Sequence, residues 1–380
     1  MQSRHISIVL TAILFIFSFL RFPLSNKFFK KYSKNTTQRI ISKSKINNTL
    51  TFPNLIGIGS KKCGTSAFQY YMSLHPEFVG MKKEVHFFDS WADELNTRMM
   101  RNRSIAIGIE DDTYQRHLNQ YKFRFSRLFS KSSQNHPKIL FEKTPRYFVV
   151  ENVPELIKMA AQKNGTEESN LKFVLILCDP LKRAISDFKH CQKSSFFKEI
   201  IKEKYDNDFD KFLDYGFRYF DTNKIQNVEN NNIISESSIR KIYTSKTPEF
   251  SILSNGFYNL HLKAWLKIFP DMNKFLIING EEILKNLPKV ILKVQKDLNL
   301  RKFFVEEKFY KNDKHFYCYD GNCLSEDKKG VKGRTRGEVV DFAGKSGQST
   351  TSRQTTNLDR LKKFYAIWNK ELYNTIGIDF

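Results

Sequence analysis

The stretch Leu171–Pro180, LKFVLILCDP, limits the fold of this chain more than any other. Its apolar run lacks the polar alternation of a half-exposed strand. Such a run suits a strand buried on both faces, the habit of parallel sheets covered by helices. Pro180 then opens a helical pattern, PLKRAISDFKH. Leu55-Ile56-Gly57-Ile58-Gly59 reads as a second buried strand, KILFEKTP (Lys138–Pro145) as a third and NKFLIING (Asn273–Gly280) as a fourth. Helical patterns cover Thr65–His75, ended by Pro76, and Phe257–Phe269. Strands alternating with helices predict an α/β fold, a single domain whose central parallel sheet is flanked by helices. The 380 residues are enough to bury such a core, and no internal repeat divides them.

Ahead of the first strand, Ile6–Leu20 (ISIVLTAILFIFSFL) is apolar and uncharged, with Arg4 and His5 before it and Arg21 after. A spanning helix needs about 20 apolar residues, a length reached if the helix continues to Leu24 with Arg21 snorkelling. No small-x-small cleavage site follows. Residues 1–24 are therefore expected to be a signal anchor, with a cleaved signal peptide as the alternative. Residues 25–51, basic and polar, are expected to form a flexible lumenal stem, and residues 52–380 the folded domain. Either N-terminal reading puts the domain in the secretory lumen. Sequons at Asn35, Asn47, Asn102 and Asn164 agree with a glycoprotein. An oxidising lumen suits a disulfide between Cys318 and Cys323 in CYDGNC, while Cys63, Cys178 and Cys191 are expected to be free and buried. The formal charge of +23 calls for a polyanionic partner; in the lumen that favours an acidic glycan over nucleic acid. Lys131–Pro137, Asp221–Lys246 and Asp327–Thr356 are expected to be irregular.

GIGSKKCGTSAF, Gly57–Phe68, carries glycines, a lysine and hydroxyls where a strand turns into a helix. The backbone N–H groups of such a turn, with the Thr65 and Ser66 hydroxyls and the Lys62 ammonium, could hold a phosphate. Lys62 precedes Gly64 rather than following it, so the G-x-x-x-x-G-K-[ST] form is absent. Taken alone, the loop is equally a Gly-rich turn bearing a surface lysine. KKEVHFFD, Lys82–Asp89, would set Glu84, His86 and Phe88 on one face if extended. A Glu beside a His is a plausible general base with its partner, or part of an ordinary amphipathic strand.

These elements form a series. Lys62-Cys63-Gly64-Thr65, SLHP (Ser73–Pro76), EVHFFD, FEKTPRYF (Phe141–Phe148), DPLKRAISDF (Asp179–Phe188), WLKIFP, IINGEEIL and FYCYDGNCL follow one another in one family's order and spacing. From about Asn54 to its C-terminus the chain resembles the heparan sulfate sulfotransferases, and EVHFFD makes it most similar to the glucosaminyl 3-O-sulfotransferase branch. The resemblance implies transfer of a sulfuryl group from 3′-phosphoadenylyl sulfate (PAPS) to a glucosamine hydroxyl of heparan sulfate, without a metal. It also implies a single-pass type II Golgi membrane protein. Lys62 would neutralise the bridging oxygen, with Cys63, Gly64, Thr65 and Ser66 lining the phosphosulfate. Glu84 would be the general base, oriented with the substrate by His86 and Asp89. Lys143 and Arg146 would contact the acceptor sugar. Trp265 matches a tryptophan of the acceptor cleft, though on its amphipathic helix it also suits the core.

The resemblance is imperfect on the nucleotide side. Ser186 matches a 3′-phosphate ligand, but Cys178 stands where the family has an arginine, and Gly is usual at Cys63. Loss of a charge-assisted contact costs about 1.5–3 kcal/mol, or tenfold to a hundredfold in affinity; Lys182 or Arg183 could compensate. Tyr317 precedes the Cys318–Cys323 hairpin as in the family. The closing loop over the nucleotide is expected at Lys332, Gly333, Arg334, Thr335 and Arg336, with Lys329-Gly330 as the competing match. A family member that binds heparan sulfate without catalysis, or acts at another glycan position, is the alternative.

Overall fold

A computed structural model describes residues 52–101, 112–131, 138–194, 197–222, 247–313, 315–324 and 352–377, all within one compact unit, Leu50–Phe380. The expected anchor and stem, the sequons at Asn35, Asn47 and Asn102, and the closing loop Lys332–Arg336 lie outside the described residues. So do most of the three segments expected to be irregular; the last of these ends inside a helix that starts at Ser352. Among the described residues no helix is long and apolar enough to cross a membrane.

The strands are β1 (Leu55–Gly59), β2 (Phe78–Gly80), β3 (Ile139–Lys143), β4 (Lys172–Leu177) and β5 (Phe275–Asn279). They form one sheet of order β2-β3-β1-β4-β5, and every pairing is parallel. The helices that matter below are α1 (Thr65–Met72), α2 (Phe87–Arg101), α3 (Asp112–Lys131), α4 (Val153–Lys163), α5 (Pro180–Cys191), α6 (Lys198–Tyr205) and α7 (Phe209–Thr222). They continue with α8 (Pro248–Ser254), α9 (Tyr258–Ile268), α10 (Gly280–Lys285), α11 (Leu287–Asp297) and α12 (Ser352–Ile376).

Both faces of the sheet are covered, which is why its strands lack polar alternation. Phe173, Leu175 and Leu177 of β4 pack into a core shared with α2, α3, α4 and α9, while Val174 and Ile176 pack oppositely, against α1 and α11. A third cluster joins α5 to α6, α7, α8 and α12 through Phe188, Tyr205, Phe212, Leu253 and Trp368. A small antiparallel sheet, β6 (Phe309–Lys311), β7 (Tyr317–Tyr319) and β8 (Asn322–Cys323), puts Cys318 opposite Cys323, and these two form the expected disulfide.

Strand order fixes where a ligand can sit. From central β1 the chain goes to β2 and β3 on one side, then to β4 and β5 on the other. Ligands of open parallel sheets bind beyond the carboxyl ends of the strands, where the connections diverge. The loops leaving all the strands of the large sheet meet there.

Candidate active site

The loop after β1 turns sharply into α1. Ser60 N–H donates to the Ile176 carbonyl at 2.7 Å, tying the loop to β4. Lys62 and Gly64 both adopt positive φ, 75° and 93°, and Gly64 is the residue before the first turn of α1. No side chain caps α1, and its first turn holds no acidic residue, so its leading N–H groups face outward with the helix dipole behind them. The Ser60 hydroxyl is buried without a hydrogen-bond partner among the described residues. Lys62 is exposed, yet partial desolvation by the surrounding loop lowers its pKa, an effect that nearby Asp187 only partly opposes. A cation that pays for desolvation and a row of uncapped N–H groups fit an anion such as the phosphosulfate of PAPS.

The loop after β2 carries the second group. Glu84 lies between two cations, its Oε1 3.1 Å from Lys143 Nζ and its Oε2 3.2 Å from His86 Nε2. His86 Nδ1 is 2.9 Å from Asp89 Oδ2, and Arg146 reaches the same oxygen at 3.2 Å and Asp93 at 2.9 Å. Lys143, the last residue of β3, is almost wholly buried and also donates to Ser66 Oγ at 3.3 Å. One ammonium therefore links the start of α1 to the Glu84 carboxylate. Burial would raise the pKa of Glu84, but His86 and Lys143 together hold it down at about 2. Asp89 and then Glu84 push His86 up to about 10, so its imidazole is an imidazolium at neutral pH.

This segment is not the strand that alternation suggested. His86 has a φ of 51°, and α2 starts at Phe87. The side chain of Thr144 accepts the Val85 and His86 N–H groups at 3.2 and 3.3 Å, and the Tyr147 hydroxyl accepts those of Phe87 and Phe88. Glu84 and His86 meet because a loop folds them together, not because they share a pleat. Thr144 and Tyr147 were missed as supports of the site, although both fall inside FEKTPRYF, beside Lys143.

On the nucleotide side three expectations need correction. Cys63 and Cys178 are not free: they form a disulfide, S–S 2.07 Å, across 115 residues of sequence, so the Cys178 sulfur is committed to Cys63. Cys191 is free and buried, as expected. Arg183 cannot stand in for the missing arginine. It is 1 % exposed, paired with Asp187 at 3.2 Å and bonded to the Ile252 carbonyl. Lys182 is exposed and pairs with Glu281 at 3.4 Å. The cation that does reach this part of α5 is Lys61, 2.8 Å from Asp187 Oδ1. Ser186, one residue away, is partly exposed.

On the acceptor side, Trp265 is fully buried and donates to the Phe148 carbonyl at 3.2 Å, so it packs the core instead of lining an open cleft. Arg146 is exposed but held by two carboxylates, which makes it a brace for Asp89 before any contact with a sugar. Tyr317 donates its hydroxyl proton to the Lys285 carbonyl at the end of α10. Asp187, His190 and Cys191 have metal-ligating geometry on α5, but Asp187 is committed to Lys61 and Arg183. Burial and then the two loop lysines lower the pKa of His190; so cationic a neighbourhood disfavours a divalent ion.

Beyond the strand ends of a parallel sheet, an uncapped helix start suited to an anion thus lies beside an ion-paired carboxylate. Residues 52–341 match the family described as "Sulfotransferase domain", and the chain belongs to that family, whose sulfuryl donor is PAPS. Among curated relatives it is 27 % identical over 329 residues to heparan sulfate glucosamine 3-O-sulfotransferase 5 of Mus musculus, covering 86 % of this chain and 72 % of that protein. It is 26 % identical to heparan sulfate glucosamine 3-O-sulfotransferase 3B1 of Mus musculus, covering 86 % of this chain and 64 % of that one. A sulfotransferase structure from Alicyclobacillus acidocaldarius overlaps at a TM-score of 0.40 with 19 % identity, covering 69 % of this chain and 87 % of the other.

Proposed function

We propose that the protein moves a sulfuryl group from PAPS to a glucosamine hydroxyl of heparan sulfate, the 3-O position, with Glu84 as general base. The observation that carries this reading is the continuous series Ser66–Lys143–Glu84–His86–Asp89, which joins the anion-binding helix start to a carboxylate held ready in its ionised form. The relatives named above act, by their names, at the same position of the same glycan. PAPS supplies the activated sulfuryl group, and the chain supplies binding, orientation and proton transfer.

Lys62 and the α1 N–H groups would hold the phosphosulfate and offset charge on the departing phosphate. At a pKa of about 2 Glu84 is a weak base while both cations face it. Lys143 can turn its ammonium from Glu84 toward an anion at the start of α1, and Glu84 then becomes more basic as the acceptor hydroxyl approaches it. The imidazolium of His86, fixed by Asp89, keeps the carboxylate aimed. In this scheme no metal is required. The basic surface would bind the sulfates and carboxylates of the glycan, and residues 1–24 would anchor the protein in the Golgi membrane with residues 52–380 in the lumen.

The test is transfer of label from radiolabelled PAPS to heparan sulfate by the full chain. Label at glucosamine O3, with kcat lowered about 10²–10⁴-fold in Glu84→Gln, is the expected result. Label at another position would keep the base and reassign the acceptor. One observation favours a second reading, a glycan-binding member without catalysis: Cys178 lies in a disulfide and Arg183 is turned into the core. Heparan sulfate bound without any transfer at saturating PAPS would establish that reading instead.

A further inference from the structure

Segments that end three neighbouring strands converge on one sulfur–sulfur bond. Cys63 sits in the loop after β1, Cys178 directly follows β4, and Gly280 starts α10 directly after β5. A side chain on Gly280 would come within 2.7 Å of the Cys63 carbonyl oxygen and 3.1 Å of the Cys178 Cβ, so the backbone of α10 rests against the bridge. The Tyr258 hydroxyl closes the remaining side: it donates to the Cys178 carbonyl at 2.9 Å and lies 3.7 Å from Cys63 Sγ. Both cysteines are buried, 3 % and 7 % exposed.

The bridge holds the one residue between two left-handed positions. Lys62, with φ 75°, and Gly64, with φ 93°, flank Cys63. Glycine adopts that region freely, but lysine is disfavoured there and stays only where its surroundings fix the backbone. Rotation at Lys62 would redirect both its ammonium and the first N–H groups of α1. Tying Cys63 to the end of a central strand removes that freedom.

We propose that the Cys63–Cys178 disulfide is a positioning element of the donor site, holding Lys62 and the start of α1 in their anion-binding arrangement, so that opening it weakens donor binding and leaves the acceptor side intact. The inference rests on the loop being the donor site, as proposed above. Pre-organisation of this kind lowers the ordering cost of binding and offsets a missing charged contact. Opening the bond takes two electrons. A dithiol reductant transfers two hydrogens to the Cys63 and Cys178 sulfurs and closes to its own cyclic disulfide.

The experiment titrates the full chain with adenosine 3′,5′-bisphosphate, the desulfated donor, by calorimetry, and measures KM separately for PAPS and for heparan sulfate. Cys63→Ala, Cys178→Ala and the double variant should each raise the Kd and the PAPS KM about tenfold, with the heparan sulfate KM unchanged. The double variant should be no worse than either single one, because each breaks the same bond. Should these variants fail to fold, the Cys318→Ala/Cys323→Ala protein, which keeps only the Cys63–Cys178 bond, is titrated before and after reduction with dithiothreitol, with the open pair verified by alkylation mapping. An unchanged Kd on opening the bond, or losses that add between the single variants, overturns the inference alone. No binding by oxidised wild-type protein overturns the donor reading and the inference with it.

Discussion

The two halves of the site are built from different materials. On the side proposed for the acceptor, the exposed Glu84, His86 and Arg146 and the partly exposed Asp93 are joined by ion pairs around two buried members, Lys143 and Asp89. On the donor side a disulfide and an ion pair buried at both ends, Arg183–Asp187, fix the loop and α5. The first arrangement can redistribute protons and contacts as ligands arrive. The second can only hold still. The transfer proposed above would ask for both, a rigid seat for the donor and an adjustable base for the acceptor.

The largest test of that contrast is stability. Arg183→Met leaves the buried Asp187 carboxylate with Lys61 as its remaining cation and takes a donor from the Ile252 carbonyl, and is expected to cost about 3 kcal/mol in chemical denaturation. Arg146→Met, at an exposed brace, should cost about 0–1 kcal/mol. Equal costs would erase the difference between the two sides. Next is Lys62→Ala, expected to lower kcat about 10²–10³-fold with little change in melting temperature; a change in KM alone would place Lys62 in ground-state binding. The smallest effect is the pH dependence of stability. His86 is raised from its ordinary 6.5 to about 10, so its contribution is complete below 6.5 and is lost as pH rises toward 10. Glu84 is lowered from 4.5 to about 2, so its contribution is complete above 4.5 and is lost as pH falls toward 2. Melting curves of His86→Gln should lack the alkaline decline; an identical decline would mean that His86 is neutral in the folded protein.

The same division governs what could be read from the sequence. The strands were legible because burial on both faces leaves an unbroken apolar run, and the grouping of Glu84, His86, Asp89, Lys143 and Arg146 because they fall in two short motifs. KKEVHFFD misled because its alternation mimics a strand, while Thr144 and Tyr147 take its N–H groups and start a helix at Phe87. Cys63 and Cys178 stood too far apart to be paired by spacing. Their meeting follows from parallel register, Gly57 beside Val174 and Gly59 beside Leu175, carried past the ends of both strands. Arg183 and Asp187 show the spacing of helical partners, yet only the packing of α8 and α12 against α5 turns them inward.

The central place of β1 has a consequence for how the chain reaches this state. Leu55 pairs with Phe141 on one side and Lys172 on the other, so β1, made before every other described strand, must wait for partners made much later. Contacts this distant close slowly, because the loop entropy is lost before the pairing rewards it. Until then an apolar strand with both edges open is prone to join a neighbouring chain, and the loop that follows it has no shape of its own.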